Sequence, residues 1–462
     1  MNLTPTAATA AAAAASQIQK EYSKKTRKSY QLYKKSMSFF PGGISHNIRY
    51  FDPYPFFTKS AKGKFLHDVD GNNYTDYWMG HWALLIGHSH PVVATAVRNQ
   101  ASEGTLFGTV NKLSVDLAYA IREAMPRAEL IRYSSTGSEA TMYAVRLARA
   151  RTGRRVVAKI VGGWHGYNTN LLQSVNYPFE LDEGSGLIQD EEQFVESVPF
   201  NDLERSLKIL DTIRDDLACV IVEPVLGGAG CITPNRDYLR GLQEFAKTND
   251  ALFILDEIVT GFRLSFGGAA REYKLDPDLF TLGKIVGGGL PIGVLCGDKD
   301  IMSLCNPVGR EKSEIACYIG GGTFAANPLT MTAGLATLKH IKENKLAIYP
   351  KINKIGDRIR KGLKKVFSEG RVDVDVTGVG SLFMTHFLNG NIRKISSALD
   401  AGLSDRDLLK KYHFALIAKH NIFFLPEKMG AISSVHTLKD AQVLIDATEQ
   451  IAQSSLLSGQ GR

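Results

Sequence analysis

Between Leu130 and Asp256 the sequence alternates short apolar runs with amphipathic stretches, and no other feature limits the fold so much. Strand-like runs are expected at Leu130–Ser134, Arg155–Val161, Cys219–Val225 and Ala251–Asp256. Helical patterns separate them at Ser138–Arg151, Asn201–Asp215 and Arg236–Lys247. Alternation at this spacing predicts an α/β fold, with a mainly parallel sheet covered by helices on both faces. Upstream, residues 64–78 alternate around Asp70-Gly71-Asn72, which predicts a hairpin. A basic amphipathic helix is expected from Gln17 to Ser38, ended by Pro41-Gly42-Gly43. Downstream, a long helix is expected from Asn327 to about Asn344, followed by a mixture of strands and helices. With 462 residues, two connected domains are the natural expectation. They divide as a large domain at 81–335 and a small α+β domain drawn from both chain ends, 20–80 and 336–462, behind an Ala-rich flexible tail at 1–19.

Composition narrows the function. Charged and apolar fractions of 22% and 44% are those of a soluble globular chain, and no apolar run approaches the ~18 residues that span a bilayer. The net charge of +8 falls mainly in Lys20–Lys35 and Lys339–Lys365, at helical spacing and without a stacking platform. Solvated helix faces and an anionic small substrate fit this pattern; nucleic acid does not. Cys219, Cys231, Cys296, Cys305 and Cys317 include no Cys-x-x-Cys pair and no nearby histidine, so reduced thiols in the cytoplasm are expected and a zinc site is not. Residues 1–19 share the bias of a transit peptide, but the basic residues, from Lys20 onward, follow the alanine run.

The chemistry concentrates at Lys284, in Thr281-Leu282-Gly283-Lys284-Ile285-Val286-Gly287-Gly288-Gly289. A lysine on a Gly-rich turn can lose its proton and attack a carbonyl. Asp256, ending the strand-like run Leu252-Phe253-Ile254-Leu255-Asp256, can hold a heteroaromatic nitrogen protonated. Pyridoxal 5′-phosphate (PLP) requires that pair of functions. Thr136-Gly137-Ser138 joins a strand to a helix and can present N–H groups to a phosphate, although a plain helix cap would read the same. Trp164, bracketed by Gly162-Gly163 and His165-Gly166, is poorly placed for core packing and could stack on a cofactor ring. Val259 could pack beneath the opposite face, and His165 could sit near the ring. Gly320-Gly321-Gly322-Thr323 is a second Gly-rich turn with a hydroxyl. Glu223, at a strand end, has equal claims to structural and catalytic roles.

From about Phe40 to His436, these motifs resemble those of the class III PLP-dependent aminotransferases of fold type I. The specific elements are Thr136-Gly137-Ser138-Glu139-Ala140, Asp256-Glu257-Ile258-Val259-Thr260-Gly261-Phe262-Arg263 and Gly283 to Pro291. Within the class the chain looks most like the glutamate-1-semialdehyde 2,1-aminomutases, through Phe40-Pro41-Gly42-Gly43, Gly87-His88-Ser89-His90-Pro91 and Gly322-Thr323-Phe324-Ala325-Ala326-Asn327-Pro328. The resemblance implies that Lys284 is the Schiff-base lysine and that Asp256 pairs with the pyridine nitrogen. It gives the phosphate to Gly137 and Ser138, and the ring to Trp164 and Val259. It also implies that Arg49 holds a substrate carboxylate, that Trp82 lines the substrate pocket, and that Thr323 reaches the phosphate of a neighbouring subunit in a homodimer. Three departures stand out: His46 replaces a serine, Gly166-Tyr167-Asn168-Thr169 replaces Gly-His-Gly-Asp, and Lys428 lies nearest the position of a glutamate facing the cofactor. They keep open an intermolecular transaminase acting on a β- or ω-amino acid. A non-catalytic PLP-fold binding protein is a remoter alternative.

Overall fold

The fold is that of a computed structural model, which describes residues 7–181, 183–184, 186–311 and 316–457. A seven-stranded sheet forms its centre, in the order Leu130–Ser134, Gly293–Gly297, Leu279–Gly283, Leu252–Asp256, Leu217–Val222, Val156–Ile160, Val195–Val198. Every neighbouring pair is parallel except those of Gly293–Gly297, which runs antiparallel to both its neighbours. Five strands, Val156–Ile160, Leu217–Val222, Leu252–Asp256, Leu279–Gly283 and Gly293–Gly297, are buried at every position. Helices cover both faces of such a sheet, so its strands read as continuous apolar runs instead of alternating ones.

Two smaller sheets flank the centre. The expected hairpin forms from Phe65–Asp68 and Asn73–Asp76, with Thr58–Lys62 on its outer side. Its fourth strand, Ile422–Phe423, arrives from the far end of the chain and pairs in parallel with Thr75 and Asp76. Val374–Thr377, Leu382–Phe387 and Gly430–Ala431 make the third sheet. No helix among the described residues is long and apolar enough to cross a membrane.

Two helices depart from the sequence reading. The N-terminal helix spans Ala7–Lys25, taking in most of the Ala-rich segment expected to be a flexible tail, and breaks at Thr26 before Arg27–Ser36. Alanine is the strongest helix former, so its run extends the helix. Residues 1–6 of the expected tail lie outside the described residues. The break is held by Asp70 in the hairpin turn, whose carboxylate accepts the N–H groups of Lys28 and Ser29. The second departure is Pro328–Glu369, which runs 42 residues, straight through Pro350. An internal proline costs about 3 kcal/mol. Burial of Ile341, Ile348, Ile352, Ile355, Ile359 and Leu363 along one stripe, at about 1.5–3 kcal/mol each, outweighs it.

Three histidines of the C-terminal part are buried as neutral groups: burial pushes His386 and His436 down to about 4 and His413 to about 3. An unfolded chain would protonate each near pH ~6.5. Below that pH the unfolded state binds protons that the native state refuses, so stability present above ~6.5 is lost as the pH falls. The melting temperature should therefore drop between pH 7 and 5. His413 stacks on Phe424 at 4.9 Å, so His413→Phe keeps an apolar ring there while removing one titrating group. Thermal melts across that range should show a shallower drop in the variant; parallel curves would refute the assignment.

Candidate active site

The parallel strands bring the chemistry to one edge of the central sheet. Asp256 ends its strand, Lys284 follows Leu279–Gly283, Glu223 follows Leu217–Val222, and the Trp164 loop follows Val156–Ile160. Crevices at the carboxyl ends of such strands are where open α/β sheets bind ligands.

Asp256 is the hub. Its Oδ2 lies 2.7 Å from His165 Nδ1, a contact in which the ring donates because a carboxylate only accepts. Its Oδ1 accepts from Thr281 Oγ1 at 2.9 Å and from the N–H of Ile258 at 3.1 Å. Asp256 and Thr281 are partners in the strand register, so the sheet itself sets this contact. Burial lowers the affinity of His165 for a proton, against the pull of Asp256. Its other nitrogen, Nε2, is buried without a partner among the described residues.

Lys284 has a left-handed backbone, φ +50°, at the start of a short 3-10 turn. Removal from water lowers its pKa, with Arg263 adding to the effect and Asp256 and Glu223 opposing it. Its Nζ stands 5.9 Å from the centre of the Trp82 ring. Glu223 accepts the N–H groups of Trp164 at 2.9 Å and Gly227 at 3.3 Å. Burial, then the charge of Asp256, pushes it up to about 8. A Cβ built on Gly227 would come within 3.8 Å of Met429, Glu223 and Val259 together, so these groups share one wall.

The helix Gly137–Thr152 begins against Ile258, two residues past Asp256. A Cβ on Gly137 would meet Ile258 Cδ1 at 2.8 Å, so glycine allows the close approach. Thr136 and Glu139 form a capping box. Among the described residues nothing accepts from the N–H groups of Gly137 and Ser138, which remain available to an anion. Ser138 Oγ lies 3.4 Å from the N–H of Tyr167, and Thr141 donates to the carbonyl of His165, which docks the Trp164 loop on the helix. The Trp164 ring is half exposed. The primary amine, buried carboxylate, free helix N–H groups and adjacent aromatic ring suit a pyridine bearing a carbonyl and a phosphate.

Of the expected site residues, Lys284, Asp256, Gly137, Ser138, Trp164, Val259 and Trp82 are thus linked through shared contacts. Arg49 is exposed, its nearest polar partner Ser45 Oγ at 3.5 Å, and it reaches the site through its charge on His81. Thr323 is exposed; its neighbour Gly322 lies against Glu139 and Ser135 of the same chain. Lys428 does not face this site. It lines a small internal cavity with Tyr412, His413 and Phe424, while Met429 takes the site side and its carbonyl accepts from Trp82 Nε1 at 2.9 Å. Glu427, just before them, has a left-handed backbone with φ +65°. Sequence reasoning missed Thr281, Met429 and His81. Thr281 could have been found only by knowing that its strand pairs with that of Asp256.

Gly166 offers a direct test of the loop. Its φ is +93°, and a Cβ there would lie 2.2 Å from Ser138 Oγ and 2.6 Å from Ser138 Cα. Strain of about 1–3 kcal/mol in Gly166→Ala should lift Trp164 and His165 from the helix and weaken PLP retention about tenfold. Cofactor absorbance after dialysis measures this; full retention would contradict the loop's role.

The aminotransferase class-III family model matches residues 49–413. The glutamate-1-semialdehyde 2,1-aminomutase of Methanothermobacter thermautotrophicus is 36% identical over 427 residues, covering 92% of this chain and 98% of its own. Among solved structures, an omega-transaminase from Sphaerobacter thermophilus superposes with a TM-score of 0.85 at 28% identity, covering 92% of this chain and 97% of its own. A beta-phenylalanine aminotransferase from Variovorax paradoxus gives a TM-score of 0.86 at 28% identity, covering 96% and 97%. With the family match spanning most of the chain and the aminomutase similarity spanning nearly all of it, the chain belongs to the class III aminotransferases, which are PLP-dependent enzymes.

Proposed function

We propose that this enzyme converts glutamate-1-semialdehyde to 5-aminolevulinate, a 2,1-aminomutase reaction that feeds tetrapyrrole synthesis. The observation that carries the proposal is the 35–38% identity to named aminomutases over more than nine-tenths of the chain. A site pairing a desolvated lysine with a held carboxylate is consistent with it. The enzyme is proposed to act in the cytoplasm, in keeping with five buried free cysteines. A homodimer in which Thr323 contacts the neighbouring phosphate is part of the same reading.

PLP, when bound, supplies an electrophilic carbon for amines and a ring that takes up charge from the substrate carbon. Lys284 would hold it, Asp256 would face its ring nitrogen, Gly137 and Ser138 its phosphate, and Trp164 and Val259 its two faces. His165 and Thr281 hold the two Asp256 oxygens in place, and the carboxylate would keep that nitrogen protonated. Lys284, once its amine is free, takes a proton from the substrate carbon and returns it to a neighbouring atom. Desolvation lowers the proton affinity of this amine and favours its unprotonated form. Arg49 binds the substrate carboxylate, and Trp82 closes the wall beside Lys284.

A second reading is an intermolecular transaminase for β- or ω-amino acids. It is favoured by His46 and by Met429 on the site side, together with the two solved transaminases at 28% identity.

Lys284→Ala should abolish the visible absorbance of the lysine-bound cofactor and reduce turnover about a thousandfold or more; activity at the original level would sink the PLP assignment. Supplied with glutamate-1-semialdehyde and no amino donor, the loaded enzyme should produce many equivalents of 5-aminolevulinate per site. One equivalent or none, from an enzyme with normal cofactor absorbance, would transfer the proposal to the transaminase reading.

A further inference from the structure

The four residues Met79, Gly80, His81 and Trp82 all have positive φ, at 47°, 59°, 59° and 64°. Three of them carry side chains, and each left-handed L-residue costs about 1–2 kcal/mol. The surroundings hold the turn in that state. Asp76 Oδ1 accepts the N–H groups of Trp78 and Met79, and its Oδ2 lies 2.7 Å from His88 Nε2. Buried Arg263 donates to the Trp82 carbonyl, and Trp82 Nε1 donates to Met429. Strain retained against several clamps beside a reactive lysine is a mark of function.

The turn delivers His81 to the mouth of the site. Its ring lies 4.5 Å from that of Trp78 and 5.7 Å from that of His46. Arg49 and Lys284 are both within electrostatic reach. Among the described residues, no hydrogen-bond partner occupies a ring nitrogen of His81 or His46. We propose that His81 is a substrate-positioning residue whose imidazole, beside that of His46, shares the substrate carboxylate with Arg49. The proposal rests on the reading that Arg49 takes a carboxylate.

Two physical points favour it. An exposed guanidinium alone is a weak anchor, because water screens its charge and its side chain must be ordered. A carboxylate has about four lone-pair sites, so it can accept from a neutral imidazole N–H as well as from the guanidinium fork. The charges around His81 also change on binding. Burial first, then Arg49, His46 and Lys284, pushes His81 down to about 4 in the free protein. An anion seated among these groups offsets the charge of Arg49 and draws a proton onto the ring. Carboxylate affinity should therefore rise as the pH falls.

The test uses the PLP-loaded enzyme with glutarate, a carboxylate probe that has no reactive amine. Its dissociation constant is measured by calorimetry from pH 5.5 to 8, beside KM for glutamate-1-semialdehyde. His81→Gly suits the left-handed backbone and should fold. It should weaken glutarate binding and raise KM about tenfold, as for one hydrogen bond to a charged group, while lowering kcat much less and flattening the pH dependence. His81→Asn, which keeps an N–H donor and tolerates the same backbone, should recover affinity but not the pH dependence. Glutarate binding by the unsubstituted enzyme that His81→Gly leaves unaltered, in strength and pH dependence, would overturn this proposal alone. So would a pH dependence abolished by His46→Ala and kept in His81→Gly. No binding by the unsubstituted enzyme would overturn the Arg49 reading as well.

Discussion

The contact between His165 and Asp256 is the interaction on which the rest of the site hangs. A carboxylate at the end of a buried central strand would, alone, be an expensive group to fold around. Here three donors take up its oxygens: an imidazole, a hydroxyl from the next strand and a backbone N–H. Each donor belongs to an element with a second duty. His165 anchors the loop that carries Trp164, Thr281 stands three residues before Lys284, and Ile258 packs against Gly137 at the helix start. Holding one buried charge thus sets the relative positions of the lysine, the aromatic ring and the helix N–H groups.

Electrostatics give the site its working protonation states. Lys284 and Glu223 lie in the same desolvated crevice, and burial moves their proton affinities in opposite directions. The lysine is pushed toward the neutral amine and the glutamate toward the neutral acid. Lys159 extends the pattern inward. It is buried in the strand Val156–Ile160 and pushed down to about 7, with Glu223 and Glu183 pulling the other way.

Much of this was legible in the sequence. The order of strands and helices follows from periodicity, because buried parallel strands and amphipathic helices leave distinct patterns. Lys284 and Asp256 were legible because each ends a strand-like run with a turn residue or carboxylate. Pairing between distant strands was not: Thr281 looks like an ordinary strand residue until its neighbour is known. The continuation of Pro328–Glu369 past Pro350 was hidden because burial overrode a local breaker. That Lys428 lines a separate cavity while Met429 lies beside Gly227 was not legible, because side-chain direction there depends on the local turn. His81 carried no signal, since four successive left-handed backbone angles place it and nothing in the sequence marks them.

The parallel pairing of Ile422 and Phe423 with Thr75 and Asp76 joins segments nearly 350 positions apart. At about 5–20 residues per second of synthesis, the hairpin must wait roughly 20–70 s for its fourth strand. Throughout that interval the edge of Asn73–Asp76 has its backbone groups unmatched, and the turn that seats Trp82 lacks the Met429 carbonyl that anchors it. The wall formed by Trp82 and Met429 is therefore among the last parts of the molecule to form on the ribosome. Such long-range closure favours slow folding and exposes an open strand edge to other chains in the meantime.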